Sequence, residues 1–198
     1  MPRLSSKDKY IKEIFDLYKV KGLLLNMEQI AQELNITKKT LYNNFESKEV
    51  MIATVVAYFF NELEAKIIDA SEKSDNAIES LFSMSSIIRD EIDKLGALLL
   101  DNIATEAYDF FEHSNRSSFY SRVIRENLKR GISEGVFRSD IDIEYTTLFY
   151  TSAVELFYKK GNNPKFIKNS SVFHSELVKH HLYSIVNIKN RDLLESYL

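Results

Sequence analysis

The chain of 198 residues contains no cysteine, no tryptophan, five glycines and two prolines. Without cysteine there can be no disulfide, no thiolate-bound zinc or iron–sulfur cluster and no cysteine nucleophile. A cysteine-free composition fits a reducing compartment. So little glycine and proline argues against an all-β fold, whose many hairpins need those residues in their turns. Long apolar runs are missing too. The longest, Met51 to Phe60, is about half of what a membrane span requires, and the charged N-terminus from Met1 to Lys9 is followed by no apolar export core. The expectation is a soluble, cytoplasmic protein with no membrane partner. Hydrophobic residues make up 44% and charged residues 28%, ordinary values for a globular chain. At this length roughly 70% of the unfolded surface can be buried, so no covalent staple is needed.

The net charge of −3 conceals an asymmetry. Residues 1–50 hold nine bases against seven acids, net +2; the remainder holds 17 bases against 22 acids, net −5. A mildly basic head on an acidic body is compatible with nucleic-acid binding.

Apolar periodicity is helical throughout. Ile11, Ile14, Phe15 and Tyr18 follow i, i+3, i+4, i+7 spacing over residues 7–21, and Gly22 is a natural stop. Asn26 and Gln29 can form a capping box for a short second helix with Met27, Ile30, Ala31 and Leu34 on one face. Asn35 suits the left-handed backbone of a tight turn. Thr37 then caps a third helix over about 38–44, with Ile36 and Leu41 spaced for a hydrophobic staple. Ser47 caps a long fourth helix to about residue 72, with Met51, Val55, Phe59, Leu63 and Ile67 along one face. Further helices are expected over 76–92, 97–109, 117–134, 142–160 and 172–189, with Gly96 as a break between the first two and no convincing strand.

Two short helices joined by a tight turn beside a first helix form a helix-turn-helix, whose second member enters the DNA major groove. Lys38 and Lys39 open that member and point charge at phosphates or guanine edges. Thr40, Tyr42 and Asn43 supply hydroxyl and amide groups. Lys48 lies in the first turn of the next helix, where backbone N–H groups also attract a phosphate. Phe45 is expected in the core.

The run from Met27 to Glu49 closely resembles the DNA-binding signature of the TetR family of bacterial regulators. The matching residues are Ile30-Ala31, Thr37, Thr40, Tyr42, Phe45 and Ser47-Lys48-Glu49. The segment Gly131 to Asp142 resembles the family's loop before its dimerisation helices. Three positions depart from the pattern: Lys39 and Asn35 where glycine is frequent, and Asn44 where histidine or an aromatic is frequent. The resemblance implies an all-α protein: a three-helix DNA-binding domain over residues 1–46 and a larger helical bundle for ligand binding and dimerisation over 47–198. It implies a transcriptional regulator, a repressor released from operator DNA by a small, mostly apolar effector, with no cofactor and no enzymatic activity. The competing reading is an all-helical ligand-binding protein or enzyme with an incidental helix-turn-helix.

The expected DNA contacts are Thr37, Lys38, Lys39, Thr40, Tyr42, Asn43 and Lys48. The expected homodimer face is Tyr145, Leu148, Phe149, Ser152 and Leu156 on one helix with Phe173, Leu177, Ser184, Ile185 and Ile188 on the last. The expected pocket is lined by Phe59, Leu63, Ile67, Phe82, Leu99, Ile103 and Phe119, with Asn102 and Glu106 as polar anchors. The fourth helix is expected to be the sole long element touching both head and body. Arg122, Arg125 and Lys129 share a helix face and read as a solvated stripe. His174, His180 and His181 read as surface histidines, since Leu177 and Val178 between them cannot ligate a metal. No Gly-x-Ser-x-Gly and no glycine-rich phosphate loop occur.

Overall fold

A computed structural model of the chain describes residues 6–106, 116–159 and 170–198, with side chains described for most of them. Helix α1 spans Ser6–Lys21, α2 Met27–Glu33, α3 Lys38–Asn44, α4 Lys48–Lys73, α5 Ala77–Glu106, α6 Arg116–Ser133, α7 Ile143–Lys159 and α8 Ser170–Ile185. A 3₁₀ turn at Ile188–Asn190 and a short α9 at Arg191–Glu195 close the chain. None of these described helices is long and apolar enough to cross a membrane.

The head forms as its sequence expects. Ile11, Ile14 and Tyr18 are buried. Gly22 ends α1 at φ 71°, its N–H donating to the Tyr18 carbonyl at 2.9 Å. Asn26 Oδ1 accepts from Glu28 and Gln29 N–H at 3.0 and 2.9 Å, and Gln29 Oε1 accepts from Asn26 N–H at 2.8 Å, a complete capping box. Asn35 takes φ 52°, the one positive φ among the described non-glycine residues. Met51, Val55, Phe59, Leu63 and Ile67 of α4 are all buried, joined by Val56 and Phe60 because α4 is covered by both α1 and α5.

Four expectations fail in the body. Gly96 does not break the chain: α5 is one continuous helix of 30 residues. A single interior glycine costs only about 1 kcal/mol, and Leu95 and Leu99 bury on the same helix. As a result α5 packs on α1 as well as on α4, α6 and α8, so α4 is not the sole long element reaching the head. The last helix ends at Ile185 rather than 189. Val186 instead pairs antiparallel with Phe137, and Arg138 N–H donates to the Ile185 carbonyl at 2.8 Å. Gly131 sits under the Phe137 ring, where a Cβ would collide.

The fourth correction concerns histidine. His174 and His181 are buried, at 2% and 6% exposure, and of these three histidines His180 is the exposed one. Their shared face is the inner face of α8, which also carries Val178, Leu182 and Ile185 and is covered by α5 and α7. His181 stacks on Tyr150 with ring centroids 4.3 Å apart. Burial holds both imidazoles neutral and pulls their pKa from 6.5 down to about 4; for His174 the nearby Arg89 charge adds to that effect. No cluster of three metal-ligating side chains occurs among the described residues.

Candidate nucleic-acid interface

Helix α3 is held by two inward side chains, Leu41 at 0% and Phe45 at 1% exposure. The helix is short, so fixing these two fixes which way the rest of it points. Lys38, Lys39, Tyr42 and Asn43 are exposed on its outer side. Thr37 is exposed, but its hydroxyl is committed locally: it accepts from Thr40 N–H at 3.0 Å and lies 2.8 Å from the Thr40 hydroxyl. Thr40 is half-buried, and its carbonyl accepts from Asn44 Nδ2 at 2.8 Å. Thr37 and Thr40 therefore shape the start of the helix, while the two lysines, Tyr42 and Asn43 form its exposed polar surface.

Ser47 Oγ caps α4 by accepting from Val50 N–H at 3.2 Å. Lys48 follows in the first turn, half-buried, at the positive end of a 26-residue helix. Two further charges stand at this surface that the sequence reasoning missed. Lys7 of α1 lies over the Phe45 ring, 5.6 Å from its centroid, beside the end of α3. Glu28 of α2 lies 3.9 Å from Lys38 Nζ. Neither follows from spacing along one helix; both depend on how α1 and α2 cross α3.

The residues expected around a pocket do not form one lining. Phe59 stacks on Phe15 of α1 at 5.4 Å, near the head, and meets Phe60 edge-on at 4.9 Å. Phe82 is half-buried and faces Tyr197 of the C-terminal tail at 6.3 Å. Phe82 and Leu99 are separated by roughly 26 Å of helix rise along α5, so they cannot share a small cavity. Leu63, Ile67, Leu99 and Phe119 are buried. The side chains of Asn102, Ile103 and Glu106 lie outside the described residues. An open apolar groove of about 540 Å³ that the sequence did not suggest runs between α1 and α4, lined by Ile11, Val50, Ala53, Ala57 and Tyr58.

The outer face of α7 and α8 is apolar and uncovered. Tyr145 is 74%, Leu148 60% and Phe149 77% exposed, and Ser152 is exposed beside them. On α8, Phe173 and Ser184 are exposed and Leu177 is half-buried, with Val172 an exposed neighbour the sequence reading passed over. Ile188 is exposed but sits in the 3₁₀ turn. Ile185 is buried inside the subunit and does not belong to this face. The Leu156 side chain lies outside the described residues. The basic stripe on α6 is occupied: Arg125 makes a two-pronged bond to Glu144 at 2.7 and 2.8 Å, Lys129 pairs with Glu126, and Arg122 lies over Phe119.

No family model matches the chain. It is 27% identical over 141 residues to the HTH-type transcriptional repressor KstR2 of Rhodococcus jostii, covering 67% of this chain and 68% of that protein. It is 26% identical over 177 residues to the repressor of the same name from Mycolicibacterium smegmatis, covering 81% and 82%. Both relatives are transcriptional repressors. Among solved structures, a TetR-family transcriptional regulator from Cytophaga hutchinsonii superposes with a TM-score of 0.66 at 19% identity, covering 93% of this chain and 98% of that one. At such identity the likeness is one of fold.

Proposed function

From the premise that this chain is a helix-turn-helix transcriptional regulator with the TetR-family fold, we propose that it represses transcription by holding operator DNA as a homodimer, and that a small, mostly apolar effector releases it. The observation that carries this reading is the surface of α3. Lys38, Lys39, Tyr42 and Asn43 are exposed on a helix narrow enough for the major groove, while Leu41 and Phe45 anchor it from behind.

Contacts divide by role. Lys48 and Tyr42 take phosphates and set affinity; Lys38, Lys39 and Asn43 face base edges. Thr37 and Thr40 position the start of α3. The uncovered face of Tyr145, Leu148, Phe149 and Ser152, with Phe173, Leu177 and Ser184, supports a two-fold four-helix packing against a second copy. Such a dimer would set two heads about 34 Å apart, one helical turn of DNA. Residues 1–46 would then act as the DNA-binding unit and residues 47–198 as the effector and dimer unit of a cytoplasmic protein.

For release, the effector would lie between α4, α5 and α6, near Leu63, Leu99 and Phe119, with Asn102, Ile103 and Glu106 on the far half of α5. Two routes lead from there to the head: α4, through the Phe59–Phe15 stack, and α5, which packs on α1 directly. A negative coupling of about 1–3 kcal/mol would weaken operator binding roughly 5–150-fold.

The test is binding of the purified protein to the promoter beside its own gene, with and without any small molecule that native mass spectrometry finds carried through purification. The reading requires a dimer on a two-fold site that is released by that molecule. A protein that binds the molecule and no DNA at any salt concentration would instead be a ligand carrier.

A further inference from the structure

Glu28 stands in the first turn of α2, exposed, with its carboxylate 3.9 Å from Lys38 Nζ. Other lysine–carboxylate pairs of the head lie away from the recognition helix: Lys9–Glu13 and Lys19–Asp16 along α1, and Lys21–Glu33 between α1 and α2. Among the described residues, the Glu28–Lys38 pair is the ion pair that joins α2 to α3. Lys38 is the first residue of α3, and in a helix-turn-helix the first residues of the recognition helix approach the base edges. With the two groups 3.9 Å apart, Glu28 stands on the same surface that Lys38 presents.

A carboxylate in that place meets a polyanion. Phosphate oxygens repel it, and most major-groove groups are acceptors that offer it nothing. The groups there that can donate are the amino groups of cytosine and adenine. The partner cation narrows the choice. Lysine bonds guanine O6 and N7, and the amino group of the paired cytosine lies next to guanine O6 on the same groove edge. A cation and a carboxylate side by side therefore match a G·C pair, donor to acceptor and acceptor to donor. The pair is long, and its side chains are 56% and 67% exposed. Such a surface bridge is weak, so both groups can turn from each other to the DNA.

We propose that Glu28 is a specificity-determining residue: it weakens binding to DNA in general and restores it where a cytosine amino group faces it, with Lys38 on the paired guanine. The assignment rests on the DNA-binding reading above.

The experiment compares wild type with Glu28→Gln, Glu28→Ala and Glu28→Asp. Each is titrated with salt on a short mixed-sequence duplex and used to select from a random-sequence duplex library. Glu28→Gln, with its charge removed and Lys38 released, should bind the mixed duplex more tightly, with a log–log salt slope steeper by about 1 per subunit. Wild type should enrich a G·C pair at one position of each half-site, roughly 5–150-fold over other pairs, and Glu28→Ala should lose that enrichment. Glu28→Asp keeps the charge on a shorter arm, so it should keep the wild-type salt slope and lose the G·C preference. If wild type binds DNA while Glu28→Gln leaves the slope unchanged and Glu28→Ala leaves the selected position unchanged, the assignment is overturned. If wild type binds no duplex at any salt concentration, the DNA-binding reading itself falls and takes the assignment with it.

Discussion

The head of this protein satisfies its polar groups mostly within a few residues, and the body adds bonds that span the chain. In the head, the helix starts are capped from within a few residues: Asn26 with Gln29, Thr37 with Thr40, Ser47 with Val50. In the body helix starts are capped locally too, Asn76 accepting from Glu79 N–H and Asp142 from Tyr145 N–H, but further bonds span the chain. Arg130 donates to the Ser71 and Ser74 carbonyls at 3.1 and 2.7 Å, Glu134 accepts from Ala77 N–H at 2.8 Å, and Asn76 meets the Tyr197 hydroxyl at 3.1 Å. The body also buries polar atoms with no hydrogen-bond partner among the described residues, His181 Nε2 and Thr147 Oγ1, and exposes a row of large apolar side chains. A locally closed head can keep one shape while the body repacks, which is what the proposed control of DNA binding by an effector needs.

The largest expected effect tests the exposed half of this contrast. Phe149→Asp should raise the dissociation constant of the proposed dimer roughly 30-fold or more, the scale of an interface hot spot, and remove operator binding while helix content by circular dichroism stays unchanged. A dimer that survives in light scattering would move the interface elsewhere.

The buried histidines give the next effect. The unfolded chain takes up protons near pH 6.5, and the folded chain refuses them until about pH 4. Stability is therefore full above pH 6.5 and falls as pH drops toward 4, by about 2 kcal/mol per histidine between pH 7.5 and 5. Urea midpoints across that range should shift together with pH, and His181→Phe should flatten the dependence. An unchanged slope in the variant would mean that His181 is not held neutral.

Within the head the effects are smaller and of both signs. Asn26→Ala removes a complete capping box and should cost about 1 kcal/mol in thermal or urea unfolding. Tyr18 is the exception to local closure: its hydroxyl is buried with no hydrogen-bond partner among the described residues, and burial raises its pKa. Tyr18→Phe should then stabilise the protein by about 0.5–1 kcal/mol. A loss of stability instead would show that the hydroxyl has a partner in solution.

The same contrast decides what could be read in advance. Asn26, Asn35, Thr37 and Ser47 act over three or four residues, so their positions in the sequence were enough to place the turns of the head. The apolar stripe of α4 was legible for the same reason. The end of α8 was not, because it depends on Val186 meeting Phe137, about fifty residues away. Gly96 misled because propensity is weaker than the burial of Leu95 and Leu99. His174 and His181 misled because α8 has apolar residues on two faces, and only the packing of α5 and α7 says which one is inside. At the site, exposure of Lys38, Lys39, Tyr42 and Asn43 followed from Leu41 and Phe45 being apolar. Lys7 and Glu28 did not, since each reaches α3 from another helix.

The central claim, that α3 and the start of α4 form a DNA-binding surface, is tested most directly by a salt titration on the promoter beside the gene. Wild type should show a steep linear fall of log affinity with log salt. Lys48→Ala should reduce that slope by about 1 for each phosphate left without its lysine, while Lys39→Ala should flatten the preference for the promoter over a scrambled duplex. Slopes and preferences identical in wild type and both variants would contradict the account.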